Sequence, residues 1–253
     1  MIFTKLTSEC CWICGTNEGL SGEHKIKKSD LKKTPDNLPG ILKGYKGQEK
    51  PIQGLNSKLL KFDNSICATC NNQKTQQADR SYDEFRDHST EKIMSILNKT
   101  ADAIDIAEVS DFNNAGRLEL ARYFAKHIGC QIDHNKFPIP CRLSRFVNRE
   151  IDKACVSVKI RLAPWLWQDS LTGDLRPLNG VGGIVLVFTG NVISLPSYYQ
   201  TAYMTGGLQF IVTMKLNKLE ALDIWIYHSI RMGKAKPEIS NERAKHLGFP
   251  FDN

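Results

Sequence analysis

The sequence predicts an α+β protein in two parts: a small metal-stapled unit over residues 1–100, and a unit over 101–253 with two helices and an antiparallel sheet. Three observations predict this division. Two Cys-x-x-Cys pairs flank a lysine-rich segment, helical periodicity begins near residue 72, and the second half passes from amphipathic helices to strand-like runs. Helices and strands that are segregated along the chain are typical of the α+β class.

The composition is that of an ordinary globular protein of 253 residues, with 41% hydrophobic and 24% charged residues. The formal net charge of +7 permits binding to nucleic acid. No run of 18 apolar residues is present, which predicts no membrane partner. The N-terminal "MIFTKLTSECCWIC" lacks the features of a signal peptide, so we expect a cytoplasmic location.

Four of the eight cysteines form two ligand-like pairs, Cys11 with Cys14 and Cys67 with Cys70. Thiolates suit tetrahedral zinc, and two such pairs close a four-sulfur site without an open position for substrate. We therefore expect a structural zinc that joins two distant segments, with free thiols or a redox pair as the alternative. Cys10, next to Cys11, leaves open which of the two thiolates binds.

The first hundred residues predict these elements in order. Residues 9–24 predict a cysteine knuckle, a short turn and a brief strand. Residues 24–61 hold ten lysines against three acidic residues and have turn signals, so we expect a long basic loop up to about residue 57. The run "KLLKFDNSI" predicts a short strand, and apolar residues at helical spacing predict a helix from about 72 to 98.

The second half predicts two helices followed by strands. "NNAGRLELARYFAKHIGC" has one apolar face and is expected to end at Gly129, and "CRLSRFVNREID" predicts a shorter helix. The strand-like runs are "CVSVKIRL", "GGIVLVFTG", "GLQFIVTMKL" and "ALDIWIYHS". Trp165 and Trp167 are interpreted as packing on the sheet, with stacking on bases as the alternative.

The tripeptide Gly22-Glu23-His24 is the candidate for chemistry, because the zinc would draw it toward Asn71 at the start of the long helix. A neutral imidazole can take a proton from water. Carboxylate and amide oxygens suit a hard divalent cation, which offsets charge on a phosphoryl group. Glu23 and His24 alternate along a strand, so His24 would face the water while Glu23 and Asn71 bind the metal. A Glu-His dipeptide alone is more often a surface or core pair.

The motifs "CWIC", "GEH" and "CATCNNQK" resemble the HNH nuclease family, the ββα-metal endonucleases, over about residues 9–87. The resemblance implies a small zinc-stapled ββα-metal domain that hydrolyses phosphodiester bonds of nucleic acid, with DNA favoured over RNA. It implies Mg²⁺ or Mn²⁺ held by Glu23 and Asn71, His24 as general base, and Lys74 against phosphate. Such a unit joined to another domain also resembles parts of bacterial defence against phage.

Two departures from the family pattern matter, and the first is the long gap between Glu23-His24 and the second cysteine pair, which the lysine-rich loop fills. The position of the central family asparagine is Phe62 here, and the nearest substitutes are Asp63 and Asn64. Asp79, on the helix after Lys74, is a further candidate near the metal, with a solvated helix face as the equal alternative.

The second functional hypothesis is a non-catalytic zinc module that binds nucleic acid or protein. Residues 101–253 would recognise a target or a protein partner, and the oligomeric state is left open.

Overall fold

The computed structural model describes residues 3–5, 10–33, 42–43, 50–51, 54–97, 114–162, 180–189, 195–205 and 208–231. It is a mixed helix and sheet structure, and the strand pairings within these ranges are antiparallel. The predicted α+β class is therefore confirmed. Trp165 and Trp167 lie outside these ranges.

The first hundred residues contain one antiparallel pair of longer strands and one long helix. In chain order they are β1 (Phe3–Lys5), β2 (Leu20–His24), α1 (Lys28–Lys33), β3 (Leu42–Lys43), β4 (Lys50–Pro51), a 3₁₀ turn (Lys58–Leu60), β5 (Lys61–Cys67), a π-helical turn (Cys70–Lys74) and α2 (Gln76–Leu97). β2 and β5 pair from Leu20–Cys67 to His24–Lys61, with irregular register on either side of Gly22. The hairpin thus brings both cysteine pairs to one end.

The later elements begin with two helices and continue into the larger sheet. They are α3 (Asn114–His134), β6 (Ile139–Pro140), α4 (Cys141–Val147), β7 (Ser157–Leu162), β8 (Gly180–Val181), β9 (Val185–Thr189), β10 (Leu195–Thr205), β11 (Leu208–Lys215) and α5 (Lys218–Arg231). The strand order is β7–β11–β10, and β8 and β9 both pair with β10. β6 pairs separately with β1.

One apolar core contains residues from both predicted parts. Trp12 of the knuckle, Phe85 of α2, Phe124 of α3 and Phe210 of β11 are buried in the same cluster. The rings of Phe124 and Phe210 lie 5.1 Å apart between centroids, and those of Phe85 and Phe210 5.9 Å. The division at residues 100 and 101 stays a prediction, and the helices α2 and α3 on either side of it pack against each other.

The predicted strand "ALDIWIYHS" is wrong, because this run lies within α5. Asn217 starts the helix: its side-chain oxygen accepts hydrogen bonds from the backbone N–H groups of Leu219 and Glu220 at 3.0 and 2.9 Å. The Glu220 carboxylate accepts from the Asn217 N–H at 2.8 Å in return. This reciprocal capping box favours helix over strand.

The long strand β10 was absent from the prediction. Its sequence "LPSYYQTAYMT" includes Pro196, and its burial does not alternate regularly. Register shifts between Pro196 and Tyr198 where β10 pairs with β9. A proline and an irregular pairing remove the period of two that marks a strand in sequence.

One helix end and one additional helix also differ from expectation. The helix expected to end at Gly129 continues to His134, because Gly129 is a site of close packing against Trp12 and not a helix end. The segment expected to be a long basic loop contains α1. The helix is anchored by Leu31, which is buried against Leu60, and by the buried carboxylate of Asp30.

Candidate functional site

The four predicted zinc ligands converge at one end of the β2–β5 hairpin. The Sγ atoms of Cys11, Cys14, Cys67 and Cys70 all lie within 4.8 Å of one another, and those of Cys14 and Cys67 are 3.7 Å apart. Zinc–sulfur bonds of about 2.3 Å in a tetrahedron place sulfurs about 3.8 Å apart. The four thiols therefore fit a zinc ion, and the ligand from the first pair is Cys11 and not Cys10.

The local backbone shapes the first cysteine pair into a knuckle. Gly15 has a φ of +82° and donates its N–H to the carbonyl of Cys11 at 2.8 Å, which closes the turn after Cys14. The Trp12 N–H donates to the Ser65 carbonyl at 3.1 Å and attaches the knuckle to β5. The positive φ requires glycine at the turn.

The second pair is held by the transition from strand to helix. The Cys70 N–H donates to the Cys67 sulfur at 3.4 Å. A hydrogen bond from the Cys70 thiol lowers the pKa of Cys11 to about 4, which favours a thiolate in the cluster. Four sulfurs leave no position for a substrate, so the arrangement suits a structural ion.

Glu23 lies against α3, where its carboxylate is paired with Lys126. The Lys126 ammonium is 3.0 Å from Glu23 Oε1 and 2.7 Å from Asp79 Oδ1. Burial, the largest single influence, opposes ionisation of Glu23, but the charge and hydrogen bond of Lys126 together with the neighbouring His127 and His24 outweigh it and lower the pKa of Glu23. Burial raises the pKa of Asp79, although the same ammonium acts to lower it. One lysine thus bridges two carboxylates from different elements.

His127 adjoins this ion cluster and is fully buried. Its Nε2 is 3.8 Å from Glu23 Oε1, and neither ring nitrogen has a hydrogen-bond partner among the described residues. The ring packs against Tyr123 and Tyr203, with centroids 4.6 and 5.1 Å away. Burial lowers the pKa of His127 to about 3, so the imidazole is neutral.

His24, the predicted general base, lies at the end of β2. Burial lowers the pKa of His24. The Glu23 carboxylate and a hydrogen bond to the backbone of Leu55 act in the opposite direction and raise it, but burial has the larger effect. Its Nε2 is buried without a hydrogen-bond partner among the described residues. His24 is thus a neutral imidazole whose electrostatic neighbours include Lys61 and Lys28.

Asn71 and Lys74 belong to the π-helical turn and are held by different partners from His24. The Asn71 amide donates to the Ser21 hydroxyl at 3.5 Å, and the exposed Lys74 ammonium donates to the Asn148 side chain at 2.8 Å. The backbone of Asn64 pairs with Gly22. The structure brings Glu23 and Asp79 together through Lys126, whereas Asn71 is bonded to the adjacent strand.

The predicted catalytic ion does not fit this arrangement. Mg²⁺ and Mn²⁺ need oxygen ligands around a position that retains water. The charge of Glu23 is already balanced by the Lys126 ammonium, which lies where a cation would bind, and the Asn71 amide nitrogen is directed to Ser21. These side chains do not form an open oxygen site here, and no step is assigned to a divalent ion at it.

Sequence reasoning missed Lys126 and His127. Both lie in α3, where every residue from 122 to 133 is buried. The available signal was a lysine next to a histidine inside a helix whose surrounding residues are mostly apolar. A buried lysine needs carboxylate partners, so the pair Lys126 and Glu23 could have been sought from that signal.

A second ion cluster joins α1 to α2. The Lys27 ammonium is 2.7 Å from Asp83, and the Arg86 guanidinium contacts Asp30 and Asp83. The Tyr82 hydroxyl donates to Asp30 at 2.8 Å. Asp83 is therefore engaged in structural ion pairs and is not a simple solvated residue.

Comparisons of the chain with known protein families, with characterised proteins and with solved structures find no match. None of the described helices is long and apolar enough to cross a membrane. The class of this protein is described from its own fold and site. The chain is an α+β protein with a four-cysteine cluster suited to a metal ion.

Proposed function

We propose that this protein is an endonuclease that hydrolyses phosphodiester bonds of nucleic acid, with DNA favoured over RNA, around a structural zinc. The observation that carries the proposal is the order of the elements. Two antiparallel strands, β2 and β5, are followed by α2, and the cysteine pairs lie next to the hairpin. The same order is what the resemblance to the ββα-metal nucleases implies for residues 9–87.

In this proposal His24 is the general base. Burial lowers the pKa of His24 and keeps the imidazole unprotonated at neutral pH. A hydrogen bond to the Leu55 backbone engages the ring, while Nε2 has no partner among the described residues. An oriented neutral imidazole suits the removal of a proton from water, and the proposal requires that water reaches this buried nitrogen when substrate binds.

Basic groups near the start of α2 support a nucleic-acid substrate. Lys74 is exposed, and the Arg149 Nε donates to the Lys74 carbonyl at 3.3 Å, which brings a second basic residue alongside. Arg149 is also paired with Glu119, so Lys74 is the stronger candidate for a phosphate contact. Such contacts weaken as salt rises because phosphate binding releases counterions.

The test compares His24→Ala with the matched control His88→Ala, whose histidine is exposed on α2. Zinc-loaded proteins are incubated with plasmid DNA and with RNA, each with Mg²⁺, Mn²⁺ or no added divalent ion. Loss of a general base should lower the cleavage rate about 100- to 10,000-fold. His88→Ala should keep the full rate, and both variants should keep zinc and wild-type melting. Absence of cleavage by the wild type, or equal rates for His24→Ala, would contradict the proposal.

A second candidate is a zinc-stapled module that binds nucleic acid without cleaving it. The ion pair between Glu23 and Lys126 favours it, because the carboxylate expected at a catalytic metal is neutralised by the protein itself. Binding to DNA that is unchanged in His24→Ala, together with no cleavage by the wild type, would support this candidate. Lys74→Ala should then weaken binding and reduce its salt dependence.

A further inference from the structure

Two carboxylates from distant parts of the chain converge on a single point inside the protein. Glu23 comes from the end of β2 and Asp79 from the first turn of α2. The Lys126 ammonium of α3 occupies the point, 3.0 Å from Glu23 and 2.7 Å from Asp79. The Lys126 side chain is 1% exposed, against 14% for Glu23 and 23% for Asp79. A buried cation is thus supplied by the second half of the chain.

A third potential ligand faces the same cluster. The buried His127 imidazole lies 3.8 Å from Glu23 and has no hydrogen-bond partner for either nitrogen among the described residues. Two carboxylates and an imidazole form a donor set that binds divalent transition metals. A buried imidazole without a partner is costly, and metal coordination is one way of satisfying such a group.

We propose that the Lys126 ammonium is a resident internal cation that takes the place of a divalent ion between Glu23 and Asp79. While Lys126 is in place, the wild-type protein holds no Mg²⁺ or Mn²⁺ at this point. A neutral, unbranched side chain at position 126 leaves the two carboxylates and His127 free to bind one divalent ion. The inference concerns the same Glu23 as the proposed endonuclease, but its test does not depend on cleavage.

The charge arithmetic supports this exchange. Glu23 and Asp79 carry two negative charges, and one ammonium offsets one of them. The Lys27 ammonium, which donates to the Asp79 carbonyl at 2.6 Å, adds positive charge at the edge of the cluster. Without Lys126 the two carboxylates would repel each other, and a divalent ion restores the balance.

The experiment measures Mn²⁺ binding to zinc-loaded, full-length protein from the loss of the free Mn²⁺ paramagnetic resonance signal. The proteins are wild type, Glu23→Gln, Lys126→Met, Lys126→Arg and the double variant Glu23→Gln with Lys126→Met. We expect Lys126→Met to bind one Mn²⁺ per chain that the wild type does not bind, even at Mn²⁺ concentrations about tenfold above the dissociation constant of the variant. Lys126→Arg keeps the charge and should bind none, and the double variant should lose the gained ion.

Stability provides a second readout, because Lys126→Met leaves two carboxylates without their cation. Its melting temperature should rise with Mn²⁺ concentration, whereas that of the wild type should not. A wild-type protein that binds Mn²⁺ at a site lost in Glu23→Gln would overturn the proposal. So would a Lys126→Met variant whose Mn²⁺ binding and melting match those of the wild type, or one that stays unfolded at every Mn²⁺ concentration.

The two proposals fail separately. If Lys126→Met gains Mn²⁺ and the wild type cleaves neither DNA nor RNA, the internal cation stands and the endonuclease proposal fails. If the wild type binds Mn²⁺ through Glu23 and cleaves only with that ion bound, the endonuclease stands and the internal cation fails.

Discussion

The indole ring of Trp12 lies against the backbone of Gly129 in the middle of α3. A Cβ atom at position 129 would fall well inside van der Waals contact with three ring atoms of Trp12. Trp12 is fully buried and cannot move into solvent. Gly129 is therefore needed for the close approach of the cysteine knuckle to the helix, even though glycine weakens a helix interior.

Gly129→Ala should destabilise the protein by about 1–3 kcal/mol, the usual cost of overpacking a core. This cost outweighs the gain of up to about 1 kcal/mol from the better helix propensity of alanine. Denaturant unfolding at saturating zinc would measure it. Gly183→Ala is the control, because open space surrounds that position, and it should change stability by less than about 0.5 kcal/mol. A stabilised Gly129→Ala variant would show that the indole does not constrain this position.

Cys70→Ser should lose the metal and much of the folding free energy of the hairpin unit. Apparent zinc-binding free energies are roughly 10–16 kcal/mol in zinc-finger peptides, and removing one thiolate forfeits a large part of this. Metal analysis of the purified chain should give one zinc for the wild type and substoichiometric zinc for the variant. Cys141→Ser, outside the cluster, should retain one zinc. Full zinc occupancy in Cys70→Ser would contradict the assignment.

Arg86→Met should be strongly destabilising, by about 3–5 kcal/mol, because it leaves the buried carboxylate of Asp30 without its guanidinium partner. The side chains of Arg86 and Asp30 are 6% and 3% exposed. The double variant Asp30→Asn with Arg86→Met removes both charges and should recover part of the loss. Arg80→Met, exposed on the same helix, is the control and should stay within about 0.5 kcal/mol of the wild type. A double variant no more stable than Arg86→Met would argue against an unpaired charge as the cause.

His127→Phe should change how stability depends on pH. The folded-state pKa of His127 is about 3, below its usual value, so only the unfolded chain takes up this proton at mildly acidic pH. Stability from this group is therefore complete above about pH 6.5 and falls by about 1.4 kcal/mol per unit as pH drops toward 3. The phenylalanine variant carries no such proton. Unfolding free energies at pH 7 and pH 5 should thus differ by about 2 kcal/mol less in the variant.

His88→Gln, which alters an exposed histidine, provides the control for that experiment and should show the wild-type pH dependence. Parallel curves for wild type and His127→Phe would mean that the imidazole of His127 takes up its proton equally in the folded and unfolded chain.

The four-cysteine cluster could be predicted because it depends on residue type and on the spacing within each pair. Two Cys-x-x-Cys pairs have few uses other than a metal site in such a chain, and the sulfurs of Cys14 and Cys67 do lie 3.7 Å apart. The strand at Glu23 and the helix α2 also followed from local pattern. The spacing within each cysteine pair, the strand and the helix depend on neighbours within about one turn or one strand. The convergence of the two distant pairs follows from the four ligands that zinc requires.

The ion cluster could not be predicted in the same way, because Lys126 meets partners that lie far away in the chain. The mostly apolar run around Lys126 hints at burial, but nothing near it in sequence identifies Glu23 and Asp79 as its partners, because their approach depends on how α3 packs against α2 and β5. The α5 error has a different cause. A short apolar run is ambiguous between strand and helix, and the cap formed by Asn217 and Glu220 decided the outcome.

The stacked rings of Tyr82 and Tyr123, 3.9 Å apart between centroids, show how closely the halves of this chain depend on each other. A chimera joined between α2 and α3 would combine each half of the chain with an unrelated sequence. It would lose the stacking of these rings and the contacts of Lys126 with Glu23 and Asp79. In such a chimera the surfaces of α2 and α3 that pack against each other would no longer be complementary. The β2–β5 hairpin and the helices α2 and α3 are therefore expected to exchange only as one piece.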